Sequence, residues 1–145
     1  MADTLYNTQI LKLATSIPHQ VRLAHPQGTS ERRSPICGSR VTVDVVLDSD
    51  GRIAELGQEV RACALGQASA SLMGAHAIGR SLAELEEARD ALTAFLAGAR
   101  EDPGSWPGLD IFGPARAHSA RHASIRLAFE AAAEAAARAA TAQAA

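Results

Sequence analysis

Cysteine and lysine are nearly absent: Cys37 and Cys63 are the only thiols, and Lys12 the only lysine, in 145 residues. A chain of this length buries roughly two-thirds of its unfolded surface in one core, so it needs no disulfide staple, and the two thiols require another explanation. The formal net charge is -2, which gives no electrostatic footprint for nucleic acid or an anionic membrane surface. No apolar run approaches the roughly twenty residues of a membrane span. The start, MADTLYNTQILKLA, carries an acid at Asp3 and a mixed polar pattern, unlike a basic end followed by an apolar stretch. A cytoplasmic protein is expected, and there a pair of cysteines is more often metal-binding or reactive than bridged. Also missing are G-x-G-x-x-G, a P-loop, H-E-x-x-H and G-x-S-x-G, and Asp48 and Asp50 read as turn residues, so no enzyme constellation is visible.

The apolar pattern supplies the elements. Leu5, Ile10, Leu11, Leu13, Ala14 and Ile17 recur with a helical period, Asp3 or Thr4 offers a cap, and Pro18 ends the pattern. A polar stretch from His19 to Ser34 reads as a loop leading into a polar edge strand. Val41, Val43, Val45 and Leu47 alternate with Thr42 and Asp44, the period of a strand with one buried face. Asp48 to Gly51 is a hairpin turn, and the return strand from Arg52 to Val60 puts Ala54, Leu56 and Val60 on one side. A helix of small residues follows from Ala64 to Ile78, ended by Gly79. Ser81 and Glu84 then form a capping box for a helix carrying Leu85, Ala88, Leu92, Phe95 and Leu96. Trp106, Leu109, Ile111 and Phe112 pin the irregular stretch from Gly98 to Pro114 to the body.

The last helix is expected to start between Ser119 and His122, with His122, Ile125 and Phe129 on its apolar face and Arg126, Glu130, Glu134 and Arg138 on the wet one. Its alanine-rich end, 136–145, is expected to fray. These elements predict a single α+β domain over 1–145, with about three antiparallel strands packed against several helices.

Cys37 precedes the predicted hairpin and Cys63 follows it, so antiparallel pairing brings the two together. Cys63 also falls at the start of a helix, where the positive end of the helix dipole favours a negatively charged sulfur. Two thiolates and an imidazole suit zinc or an iron-sulfur centre, because soft sulfur selects such metals. His122 is the candidate nitrogen donor. The competing reading makes both cysteines small apolar fillers and His122 a hydrogen-bonded core histidine. His118 is a possible extra donor, whereas His19, His25 and His76 read as surface or packing residues. Arg32 and Arg33 read as a solvated charge pair near Cys37.

Ser34-Pro35-Ile36-Cys37-Gly38, the alternating strand, Asp50-Gly51-Arg52-Ile53, Ala62-Cys63-Ala64-Leu65-Gly66-Gln67-Ala68-Ser69-Ala70-Ser71 and Gly79-Arg80-Ser81 stand in a telling order. With Arg121-His122-Ala123-Ser124-Ile125-Arg126-Leu127-Ala128, they resemble the iron-sulfur cluster scaffold family that includes IscU, SufU and the N-terminal domain of NifU. The long insertion between the blocks is closest to the SufU branch. The chain departs from the family in two places. Ser39 stands where members carry Asp, and the segment places the third cysteine position at Ala123, immediately after His122.

The resemblance implies a non-enzymatic scaffold or carrier that takes sulfur from a cysteine desulfurase and hands iron, zinc or a transient iron-sulfur cluster to acceptor apo-proteins. Cys37, Cys63 and His122 are then its ligands, and the fourth position falls to water, Ser39, His118, a second copy or a partner's cysteine. Two alternatives are a zinc-dependent relay passing persulfide sulfur, and a degenerate member acting only as a protein-binding subunit.

Overall fold

The structure, a computed structural model, describes residues 5–35 and 38–144. Cys37 and the cap candidates Asp3 and Thr4 lie outside the described residues. Helix α1, Thr8–Ala14, is capped by Asn7, whose side chain accepts from the Ile10 N–H at 3.0 Å, which satisfies one of the free amides of a helix start. Three strands follow, β1 Gly28–Arg33, β2 Arg40–Leu47 and β3 Ile53–Arg61, antiparallel in the order β1-β2-β3. Helices α2, Ala64–His76, and α3, Leu82–Leu96, come next, the latter with the expected Ser81–Glu84 capping box. The 3-10 segments Leu109–Ala117 and Ser119–Arg121 lead into α4, His122–Ala144. The fold is α+β, as predicted. Among the described residues, no helix is long and apolar enough to cross a membrane.

Strand β2 is buried on both faces, where one wet face was expected. Val41, Val43, Val45 and Leu47 face the core, but Thr42 and Asp44 are covered as well. The covering element is the stretch before β1. His19 accepts from the Gln58 N–H through its carbonyl at 2.9 Å, and a side chain on Gly57 would strike the backbone of Val21 and Leu23. Arg22 reaches Asp44 with two hydrogen bonds, Nε to Oδ2 at 2.7 Å and Nη2 to Oδ1 at 3.2 Å. The Leu23 N–H and the Thr29 hydroxyl add two more at 3.0 and 2.7 Å. Burial by itself would raise the Asp44 carboxyl. The hydrogen bonds from Arg22, Thr29 and Leu23 outweigh it and hold the group below its ordinary value.

Ala54 is exposed and Ile53 buried, the reverse of the expected pattern. A register shift at Val46/Leu47 pairs Leu47 with Ile53 and Val46 with Glu55, so Ala54 is the extra residue of a bulge. Gly51 takes the left-handed conformation that the turn requires, with φ 79°.

Much of the alanine-rich stretch is packed against the sheet. Helix α4 continues to Ala144 and packs along β1 and β2, with Ala131, Ala132, Ala135, Ala136 and Ala139 fully buried. Any side chain on Gly28 would meet the backbone of Ala135 and Ala139. Ala135, Ala136 and Ala139 are therefore interface residues of a helix lying almost backbone to backbone on a strand, while Thr141 to Ala144 are exposed. The wet face is as expected: Glu130 pairs with Arg126, and Glu134 with Arg138. Arg32 joins this face, with its guanidinium 3.8 Å from Glu130 and 3.7 Å from Glu134. Trp106 is buried, donates from Nε1 to the Leu72 carbonyl at 2.9 Å and meets Phe129 edge-on, which fixes the stretch after α3 to the body.

Candidate functional site

The hairpin brings its flanks together as expected. Arg40 and Arg61 are partners at the open end of β2 and β3, so Ser39 and Cys63 arrive at the same end of the sheet. The connection from β1 to β2 is closed there by its own backbone. The Ser34 N–H donates to the Ser39 carbonyl at 2.9 Å and the Gly38 N–H to the Ser34 carbonyl at 3.1 Å. Gly38 has φ 72°, a conformation that glycine adopts without strain.

Cys63 is the N-cap of α2, with extended backbone and no side-chain bond to the first-turn amides. Its thiol turns instead toward α4, where Sγ lies 3.2 Å from the Ser124 hydroxyl. Ser124 also meets the Ser39 hydroxyl at 3.1 Å. Ser39 and Ser124 are buried, and Cys63 is half-buried. One thiol and two hydroxyls, contributed by the start of β2, the start of α2 and the start of α4, thus form one polar group at the end of the core.

Small residues make that approach possible. A Cβ on Gly66 would sit 2.6 Å from the Ser124 Oγ and 2.8 Å from the Ala62 Cβ, closer than atoms pack. One turn further along, the Ser69 hydroxyl donates to the Ile125 carbonyl at 2.6 Å and locks α2 to α4. The run Ala64-Leu65-Gly66-Gln67-Ala68-Ser69 therefore acts as a close-packing face that brings Ser124 to the sulfur.

His122 takes a different place. It is buried on the apolar face of α4 with Ile125 and Phe129, and its Nε2 donates to the Ala115 carbonyl at 2.8 Å. At about 100° per residue, it lies some 200° around the helix from Ser124. The structure joins Cys63 to Ser124 and Ser39, and turns the His122 ring to the preceding 3-10 segment. The resemblance places the family's third cysteine position at Ala123, but the residue facing Cys63 is Ser124, one step further on. The signal was available in the helical spacing of Ser124, Leu127, Ala128 and Ala131, all buried on one side.

His19, His25 and His118 are exposed, and His76 packs edge-on to Trp106. Among the described residues, no three His, Cys, Asp or Glu side chains gather as a metal-binding group. Cys37 stands outside them, two positions before Ser39 in the sequence.

Residues 5–103 match the model of the NifU-like N terminal domain. No curated protein matches the chain. Among solved structures, the N-terminal part of a nitrogen-fixing NifU-like protein from Brucella abortus is 37% identical. It superimposes with a TM-score of 0.88 over 94% of this chain and 95% of that one. A protein assigned as an iron-sulfur cluster assembly scaffold for the SUF system in Fervidobacterium islandicum AW-1 shares the fold, with a TM-score of 0.83 over 91% of this chain and 96% of that one, at 20% identity. On a sequence match over most of its length and a fold match over nearly all of it, the chain belongs to the family of NifU-like N-terminal domains, the group that includes the IscU and SufU scaffolds.

Proposed function

We propose that this protein is a scaffold or carrier whose cargo is an iron-sulfur cluster or its iron, held between Cys63 and Cys37. The observation that carries the reading is the convergence of Cys63, Ser124 and Ser39 at the sheet end that also receives the connection bearing Cys37. Family membership and the scaffold role named for the Fervidobacterium protein support it.

Two thiolates are soft donors suited to iron-sulfur chemistry, and the Ser124 and Ser39 hydroxyls are harder and weaker ones. Such a set holds its cargo loosely, which suits a protein that must pass it to an acceptor apo-protein after a cysteine desulfurase has supplied the sulfur. His122 stands outside the donor set in this reading. Its bond to Ala115 fixes the ring, and its role is to hold the start of α4 in place.

Anaerobic reconstitution with ferrous iron and sulfide tests the reading. The native protein is expected to gain visible charge-transfer absorbance and bound iron, and Cys63→Ser and Cys37→Ser are each expected to lose most of both. Freshly purified protein that carries only zinc, takes up no cluster and yet accepts persulfide sulfur from a desulfurase would favour the relay instead. Protein that binds neither iron nor zinc, and whose cellular activity survives both substitutions together, would leave only a partner-binding subunit.

A further inference from the structure

Three arginines stand side by side across the sheet next to the cysteine end. Arg33 on β1 is the partner of Arg40 on β2, and Arg40 is the partner of Arg61 on β3. Partners project to the same face, and since Val41 faces the core, this row lies on the outer face. With Ser34, Pro35 and Gly38, the three line an open pocket of about 420 Å³. Among the described residues, no carboxylate lines it. Arg33 is bound to Glu31 at 2.7 Å. Arg40 and Arg61 share the single carboxylate of Glu59 at 3.9 and 3.5 Å, and Arg22, already engaged with Asp44, approaches it at 3.8 Å.

Like charges directly opposite each other on a sheet are unfavourable, and here they recur across both strand pairs in a chain of net charge -2. The side chains of Arg33 and Arg61 are 65% and 70% exposed, so their forks are open to a partner.

We infer that this row is a docking surface for an acidic, extended segment of a partner protein. Neighbouring strands are about 4.8 Å apart, so the row spans roughly 10 Å and offers three planar forks in sequence. Each fork matches a carboxylate with two parallel hydrogen bonds. Successive Asp or Glu side chains can engage the row along its length, whereas one compact phosphate can meet only part of it. Pro35 and Gly38 form one wall of the pocket, so a bound segment lies against the connection that carries Cys37. The three guanidiniums keep their charge whatever the thiols hold.

The test is fluorescence anisotropy with a labelled hexaglutamate peptide on the full chain at low ionic strength. The native protein is expected to bind, and Arg33→Glu with Arg61→Glu to weaken binding by about tenfold or more, as reversal of complementary charge does. Arg89→Glu on α3 is expected to leave binding unchanged. Arg61→Gln serves as a milder variant should the double reversal fold poorly. The inference is overturned by absence of peptide binding, by an equal loss in Arg89→Glu, or by inorganic phosphate displacing the peptide at matching concentration, which would mark a small-anion site. It is overturned too if an oligothymidylate binds as tightly, which would make the surface one for nucleic acid.

Discussion

Cys63 and Ser124, 61 positions apart in the chain, face each other with Sγ and Oγ at 3.2 Å. Placing a thiol at position 124 should therefore complete a soft donor set. Ser124→Cys, handled anaerobically so that no disulfide forms, is expected to bind more iron per chain after reconstitution and to lose its visible absorbance several times more slowly in air, because thiolate is the better donor for iron-sulfur clusters. Unchanged iron content and decay rate would place the cargo elsewhere.

Ser124 and His122 can be separated by the kind of damage each causes. Ser124→Ala removes a hydroxyl at the sulfur and should lower cargo retention with a stability loss near 1 kcal/mol. His122→Ala empties a buried site and orphans the Ala115 carbonyl, so it should cost about 2–3 kcal/mol in urea unfolding while the folded fraction still takes up cluster. The opposite pattern would return His122 to the donor set.

Gly66 sets the distance between α2 and α4. Its replacement by alanine puts a methyl against the Ser124 Oγ and the Ala62 Cβ, and Gly66→Ala is expected to cost about 1–3 kcal/mol through overpacking. The same methyl should push Ser124 off the sulfur, so cluster uptake should fall along with melting temperature. A variant with normal stability and normal uptake would contradict this geometry.

Asp44 makes the fold acid-sensitive in a defined direction. Its carboxyl is held below its ordinary value, so its contribution is fully present above the unfolded value of about 3.9 and is lost as pH falls through the folded value. The contribution of Asp44 to unfolding free energy should be constant from about pH 7 to 5 and fall below about pH 4. Asp44→Asn should cost about 2 kcal/mol at neutral pH, a figure kept low because Arg22 is half-exposed. It should also show a shallower acid limb. Glu84 and Asp102 are likewise held low, so some acid slope should remain in both proteins.

Much of the frame was legible in the chain. The period of two from Val41 to Leu47, the Asp48 to Gly51 turn and the Ser81–Glu84 capping box each depend on neighbours within a few residues, and all three are in place. Other features needed contacts from far away. Asp44 read as a wet-face residue because nothing local announces that Arg22 and Leu23 fold back over it. The terminal alanines read as fraying because alanine carries little apolar area. Their value lies in being small enough for α4 to lie against Gly28.

By itself, the sequence determined the α+β order, the meeting of the hairpin's two flanks, and the presence of a cysteine at the start of a helix, because short-range periodicity and capping dictate these. Only the tertiary structure decided which residue of the last helix faces Cys63. Neighbouring positions on a helix point about 100° apart, so a shift of one residue exchanges partners, and the close contact of α2 with α4 through Gly66 and Ser69 selects Ser124.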